Sequence, residues 1–132
     1  MGKLLGQCGR YLWFLDEKRR DWIFDDDFES FNAQHSLGRI YHCVEDNGDF
    51  IVIQSKRDES YRVKKEGFRV SPFTNFYIKD RVKILNGSKV GKTAFILGMG
   101  WHSNHEKIIF ILEIDGKKSS RWYFEEDIEP YE

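Results

Sequence analysis

A sequence motif, or phrase, that occurs three times constrains the fold of this chain more than any other feature of the sequence. Its clearest copies are residues 21–29 and 121–129, in which an aromatic segment is followed by three acids, an apolar residue and another acid. A looser copy spans residues 60–69. Each copy follows a short apolar segment and a polar turn. Repetition at this scale indicates that the chain uses one supersecondary unit more than once.

Short apolar segments separated by polar turns continue along the rest of the chain. Residues 38–44 and 108–114 have the length and the β-branched, aromatic character of strands. Asn47-Gly48 and Asp115-Gly116 are strong signals for hairpin turns. Two glycines inside residues 94–101 predict a bulge. Closely spaced strands with glycine turns are typical of small β-barrels and sandwiches.

Helical signals are weaker than strand signals. The acids that begin at Asp25 can cap free backbone amides, so residues 25–36 predict one or two helical turns, and no segment predicts a helix of ten residues. The apolar residue after the acids, Phe28 or Ile128, with Phe68 in the looser copy, is expected to plug a barrel mouth. The sequence therefore predicts an all-β protein of tandem barrels packed together, with short 3₁₀ or single-turn helical plugs.

A length of 132 residues suits one domain or two very small ones. The predicted units are residues 1–73 and 74–132. The N-terminal unit includes an extra hairpin over residues 10–31, with strands at 11–15 and 21–24. A hairpin with one plug residue is too small to fold alone, so we expect it to dock on this unit or to complete its sheet.

A spaced pattern of apolar residues and glycines opens the C-terminal unit. It reads Phe76-x-Ile78-x-Asp80-x-Val82-x-Ile84, then Asn86-Gly87, then Gly91-Lys92-Thr93-x-x-Ile96. This pattern resembles the opening of KOW and related SH3-like barrels, and the likeness covers residues 76–130, with a fainter echo in 38–72. Lys79 stands where those families have a glycine, and Ala94 where a later glycine often falls. The resemblance implies SH3-like barrels and is not specific for a function.

Composition and charge exclude several classes of protein. The chain has 21 basic and 22 acidic side chains and a net charge of −1, so no bulk field draws it to nucleic acid or anionic lipid. Two cysteines are too few for a disulfide framework. The sequence shows neither a signal peptide nor a membrane span. The sequence therefore predicts a cytoplasmic protein with no membrane partner. It leaves the oligomeric state open.

Motifs for catalysis, cofactors and metals are absent from the sequence. There is no nucleophile elbow, phosphate loop or dinucleotide fingerprint. The acidic triplets lack calcium-loop spacing, and His102 and His105 predict an exposed loop rather than a zinc site. His42 and Cys43 are neighbours on a predicted strand and point to opposite faces, so they do not form a catalytic pair. We expect no enzyme, no cofactor and no metal.

The aromatic content of 16% favours binding to another protein, as an adaptor, an inhibitor or an immunity-type protein. Exposed rings beside charges are the usual makings of an interaction hot spot, and acids in the plug turns suit a basic partner. The candidate contact residues are Trp22, Trp101, Trp122, Tyr123, Asp26, Asp27, Glu126 and Asp127.

The alternative function is KOW-like nucleic-acid binding. Alternation places Lys79, Arg81 and Lys83 on one outer face of a strand, near a basic loop, where they would contact phosphates. The residues of this alternative are Lys79, Arg81, Lys83, Lys89 and Lys92. A weaker alternative is a small ligand bound between the two barrels.

Overall fold

Two antiparallel sheets make up most of the structure, with only short helices, which confirms the all-β prediction. The computed structural model describes residues 3–13, 20–34 and 38–131. The chain divides into two units, Met1–Phe73 and Thr74–Glu132, and each unit contains one of the sheets.

The sheet of the N-terminal unit has five strands in the order β4-β3-β2-β1-β5. The turn that the Asn47-Gly48 signal predicts joins β2 to β3, and Gly48 there has φ 94°. A 3₁₀ turn, Lys65–Gly67, joins β4 to β5. The strands are β1 Cys8–Tyr11, β2 Ile40–Asp46, β3 Phe50–Gln54, β4 Tyr61–Lys64 and β5 Phe68–Ser71.

The sheet of the C-terminal unit follows the path β10-β8-β7-β6-β11, with β9 paired to β8. The predicted bulge is confirmed, because the register between β7 and β8 shifts between Ile96 and Gly98. A 3₁₀ turn, Glu125–Asp127, joins β10 to β11. The strands are β6 Arg81–Ile84, β7 Thr93–His102, β8 Lys107–Ile114, β9 Lys117–Lys118, β10 Tyr123–Phe124 and β11 Ile128–Pro130.

The two sheets have the same strand order. In each unit the first strand lies between the second strand and the last strand, and a 3₁₀ turn precedes the last strand. Phe68 and Ile128 are the first residues after these turns, and both are buried, as the plug prediction requires. Over the described residues both sheets are open, so closure into barrels stays a prediction.

The hairpin predicted over residues 10–31 is wrong. After β1 the chain forms a 3₁₀ turn, Arg20–Trp22, and a ten-residue helix, α1, Asp25–Gln34, which is longer than predicted. The expected strand at 21–24 is reduced to a single bridge between Ile23 and Val63. The predicted turn at residues 16–20 lies, except for residue 20, outside the described part of the chain, as do residues 14 and 15 of the first predicted strand.

Helix α1 is tied to the sheet by the Phe31 ring and by the Asp27 carboxylate. The Phe31 ring is completely buried, with ring centroids 5.3–6.0 Å from those of Tyr11, Trp13, Tyr41 and Tyr61. The first copy of the repeated phrase therefore differs from the others. Phe28 is a partly buried helix residue beside Trp13, at 5.8 Å between ring centroids, and not a plug after a 3₁₀ turn.

Candidate binding surfaces

Two of the four candidate acids are held by the fold itself. Asp27 Oδ2 accepts hydrogen bonds from the backbone N–H of Arg62 at 2.8 Å and from its Nε at 3.1 Å, which ties α1 to β4. Asp127 Oδ2 accepts the backbone N–H of Phe124 at 2.9 Å, and its Oδ1 accepts Asn86 Nδ2 at 2.6 Å. The Asp27 carboxylate bonds a backbone N–H of β4, and the Asp127 carboxylate bonds one at a tight turn, so both acids have a structural role.

The other two candidate acids lie on the surface. The Asp26 side chain is 87% exposed and lies 3.4 Å from Arg62 Nη2. The Glu126 side chain is 65% exposed, and its Oε1 accepts a hydrogen bond from Lys107 Nζ at 2.9 Å. Both carboxylates are accessible to a partner, and each already has a cation beside it.

The four aromatic candidates differ sharply in exposure. Trp122 is 56% exposed, whereas Tyr123 is 1% exposed and is unavailable for contact with a partner. Tyr123 faces inward because it pairs directly with buried Phe110 on β8. Trp22 is partly buried against the N-terminal core, with its ring 6.4 Å from Tyr11. Trp101 is partly buried at the end of β7.

Trp122 belongs to a cluster of rings and charges that we call the imidazole–aromatic surface. The His102 ring lies 5.4 Å from Trp122 and 4.5 Å from the ring of His105. The His105 ring stacks on Phe124 at 5.6 Å with an interplanar angle of 18°. The surface consists of His102, His105, Lys107, Trp122, Phe124 and Glu126.

The register of β7, β8 and β10 brings this surface together. His102 pairs with Lys107 across β7 and β8, and Phe124 pairs with Ile109, two residues beyond Lys107. Paired residues and residues two apart share a face of the sheet. Lys107 Nζ lies 5.0 Å from the centre of the Phe124 ring, and the backbone N–H of His105 donates to His102 Nδ1 at 3.3 Å. The rings are therefore positioned by neighbours rather than left to rotate.

The five cations of the nucleic-acid alternative do not form one array. Arg81 and Lys83 alternate outward on β6, as predicted, but Lys79 lies in a turn before the strand with φ 81°. The Arg81 guanidinium lies over the Tyr131 ring at 4.2 Å. Lys92 Nζ lies 2.5 Å from Asp115 Oδ2, so a carboxylate already neutralises it.

Lys89 instead lines a cleft that we call the cationic cleft. Its volume is about 530 Å³. The sequence prediction missed most of its residues, although the run Lys117-Lys118-Ser119-Ser120-Arg121, which contains only cations and hydroxyls, is a visible signal. The lining residues are Ser88, Lys89, Ile114, Asp115, Lys117, Lys118, Ser119, Ser120, Arg121 and Tyr123.

Both cysteines are buried in the N-terminal unit. Cys43 belongs to the core cluster, whereas His42, on the other face of β2, lies beside Cys8, with Sγ 3.4 Å from Nδ1. His42 and Cys43 thus lie on opposite faces of β2, as predicted. Burial raises the pKa of the Cys43 thiol to about 11, which keeps it protonated at neutral pH.

Residues 3–13, 20–34 and 38–131 contain no group of three or more histidine, cysteine or acidic side chains that could hold a metal ion. None of the helices in this part of the chain is long and apolar enough to cross a membrane.

The model of a family of unknown function, DUF6960, matches residues 1–129. No curated protein and no solved structure matches the chain.

Proposed function

We propose that this chain, which belongs to the DUF6960 family, is a non-enzymatic binding module that recognises another protein through the imidazole–aromatic surface. The observation that carries the proposal is the exposed Trp122 ring within a cluster of positioned rings. Aromatic residues dominate the energetics of protein interfaces because they bury a large area and lose little conformational freedom.

The charges of this surface favour a protein over a nucleic acid. Lys107 is paired with Glu126, so the cation that lies over Phe124 is balanced by a neighbouring carboxylate. Phosphate backbones are bound by an excess of cations. A polar, nearly neutral rim around exposed rings matches the composition of a protein interface.

We also propose that both units are SH3-like barrels in tandem. The shared strand order and the 3₁₀ turn before each last strand support this proposal. The backbone of Lys79 adds support, because φ 81° is a conformation that favours glycine, and the SH3-like pattern has a glycine at this position.

Affinity capture with two matched variants tests the proposed function. The wild-type chain, Trp122→Ala and Phe95→Ala serve as baits in nuclease-treated extract of the native cell, with mass spectrometry as the readout. Phe95 is an exposed ring on β7, away from the imidazole–aromatic surface, and is the control. We expect the wild type and Phe95→Ala to capture the same protein. With that partner purified, Trp122→Ala should weaken binding by about 2 kcal/mol, or about thirtyfold.

Two results would contradict the proposed function. One is a partner that Trp122→Ala binds as tightly as the wild type does. The other is capture that disappears whenever the extract is treated with nuclease, since the chain would then be binding nucleic acid.

A further inference from the structure

We infer that the C-terminal unit carries a second binding site, for small phosphate-bearing anions, in the cationic cleft. This site uses different residues from the imidazole–aromatic surface, so the inference does not depend on the proposed protein partner. The cleft lies between the loop 85–92 and the segment 115–121, which contains β9.

The charge balance of the cleft is strongly positive. Lys89, Lys117, Lys118 and Arg121 line it, and its one lining carboxylate is Asp115. Asp115 accepts a hydrogen bond from Lys92, which lowers the pKa of its carboxyl group and offsets its negative charge. Since the whole chain has a net charge of −1, this excess of cations is local and selects for an anion at this place.

Arg121 is held in one orientation by its neighbours, and the Asp127 carboxylate offsets part of its charge. Its guanidinium lies over the Tyr123 ring at 4.4 Å, its Nη2 donates to Asn86 Oδ1 at 3.5 Å, and the same nitrogen lies 3.7 Å from Asp127 Oδ2. Gly87 leaves room for this arrangement, because a Cβ atom there would collide with Arg121 Nη1. A planar guanidinium held in one orientation binds phosphate oxygens with two parallel hydrogen bonds.

Hydroxyl groups and volume narrow the class of ligand. Ser88, Ser119 and Ser120 line the cleft, and Ser88 and Ser120 offer neutral donors beside the cations. The Ser119 hydroxyl accepts the backbone N–H of Arg121 at 3.2 Å and donates to its carbonyl at 3.1 Å, which braces the loop. A cavity of about 530 Å³ is the size of a small-molecule site. These features suit a small phosphate ester or polyphosphate with more than one negative charge.

Titration calorimetry and amide NMR shifts of the full chain test this site at low salt. The probes are inorganic pyrophosphate, adenosine triphosphate without metal, and adenosine. We expect both phosphates to bind saturably, with shifts in residues 115–121, and adenosine not to bind. The triphosphate carries one more phosphate group and more negative charge than pyrophosphate, so we expect it to bind at least as tightly. Absence of binding, or shifts confined to other residues, would overturn the inference.

Two charge reversals of equal size separate the cleft from the bulk charge. The double variant Lys117→Glu, Lys118→Glu should weaken pyrophosphate binding at least about tenfold. The matched variant Lys79→Glu, Lys83→Glu changes the net charge equally outside the cleft and should change the affinity less than about twofold. Equal weakening by both would overturn the inference. A second result would also overturn it: a single-stranded oligonucleotide binds more tightly than pyrophosphate does, and the variant Lys79→Glu, Lys83→Glu no longer binds the oligonucleotide.

Asp115→Asn gives a prediction that a loss of folding cannot imitate. Residue 115 has φ 53° and precedes Gly116 in the two-residue turn between Ile114 and Lys117. Asparagine adopts this conformation well, so the turn is kept. Removal of the carboxylate leaves Lys92 uncompensated beside the cleft, and pyrophosphate should bind several-fold more tightly. Unchanged or weaker binding would contradict the charge argument.

Discussion

At the scale of single residues, Lys79 is held in a conformation that its side chain disfavours. Its φ of 81° lies in the left-handed region, where a Cβ atom crowds the backbone. Its backbone N–H donates to the Ile96 carbonyl at 2.7 Å, so the conformation is fixed by the sheet. The strained backbone at Lys79 therefore lowers the stability of the folded state, and the turn before β6 is kept in spite of it.

Lys79→Gly should therefore stabilise the protein. Glycine removes left-handed strain of about 1–2 kcal/mol from the folded state. It also makes the unfolded chain more flexible, which costs about 0.5–1 kcal/mol of stability. We expect the free energy of unfolding to rise by about 0.5–1 kcal/mol in urea titrations. Lys83→Gly, at an exposed position inside β6, is the control and should lower it by a similar amount. A destabilised Lys79→Gly would show that the lysine side chain contributes more than the strain costs.

Single residues also show which features of the two proposed sites can be predicted from the sequence. Trp122 and Lys89, which belong to the two proposed sites, were predictable as candidates from side-chain chemistry alone. The burial of Tyr123 was not, because one step along β10 exchanges the inner face for the outer face. His102 and His105 were expected in a plain loop, since their contacts with Trp122 and Phe124 depend on the register between β8 and β10.

At the scale of elements, we expect the Phe31 ring to contribute most of the stability of helix α1. Phe31 is buried among four aromatic residues of the N-terminal core, whereas Phe28 is only partly buried. The isolated segment has too few apolar residues for a stable helix, so tertiary contacts must supply most of its stability. Truncation of Phe31 leaves a cavity that the surrounding rings cannot fill without moving.

Phe31→Ala should lower the free energy of unfolding by about 3–5 kcal/mol. Phe28→Ala, on the same helix, should cost only about 1–2 kcal/mol, because the lost contact is partly exposed. Urea titration followed by far-UV circular dichroism measures both. Similar costs for the two variants would contradict the assignment of Phe31 as the residue that anchors α1.

The elements divide into those that local sequence specifies and one that it does not. Alternation predicts β6, Asn47-Gly48 predicts the turn between β2 and β3, and paired glycines predict the bulge in β7. Helix α1 was underestimated because its anchors are distant. Asp27 bonds to Arg62, 35 residues away, and Phe31 packs on four strand residues or their neighbours. A local pattern contains no information on such partners.

At the scale of the whole molecule, we expect the N-terminal unit to be the more sensitive to alkali. Burial raises the pKa of Tyr11, Tyr41 and Tyr61. The hydrogen bond that Tyr61 donates to Glu59 raises the pKa of Tyr61 further. Cys43, in the same core, has its pKa raised from 9.0 to about 11. All four groups are neutral in the folded protein and ionise more readily when unfolded. Their stabilising effect is complete below the unfolded pKa and is lost as the pH rises through the folded value.

We therefore expect stability to fall from about pH 9 upward, first through Cys43 and then, above about pH 10, through the tyrosines. Side-chain methyl NMR signals of β2–β4, which do not exchange with water, should lose their folded positions at a lower pH than those of β6–β8. Cys43→Ala should remove the part of the loss between pH 9 and 11. Simultaneous loss of both sets of signals would contradict a weakness confined to one unit.

The 3₁₀ turns of the two units end in residues that cannot replace each other. A Cβ atom at Gly67 would lie 2.7 Å from the Tyr11 ring, whereas Asp127, at the same place in the other turn, needs its side chain to bond Phe124 and Asn86. Neighbouring units of like topology are prone to misfold by exchanging strands. We expect an exchanged segment either to collide with Tyr11 or to leave the Phe124 amide unbonded, and both outcomes would disfavour the exchange.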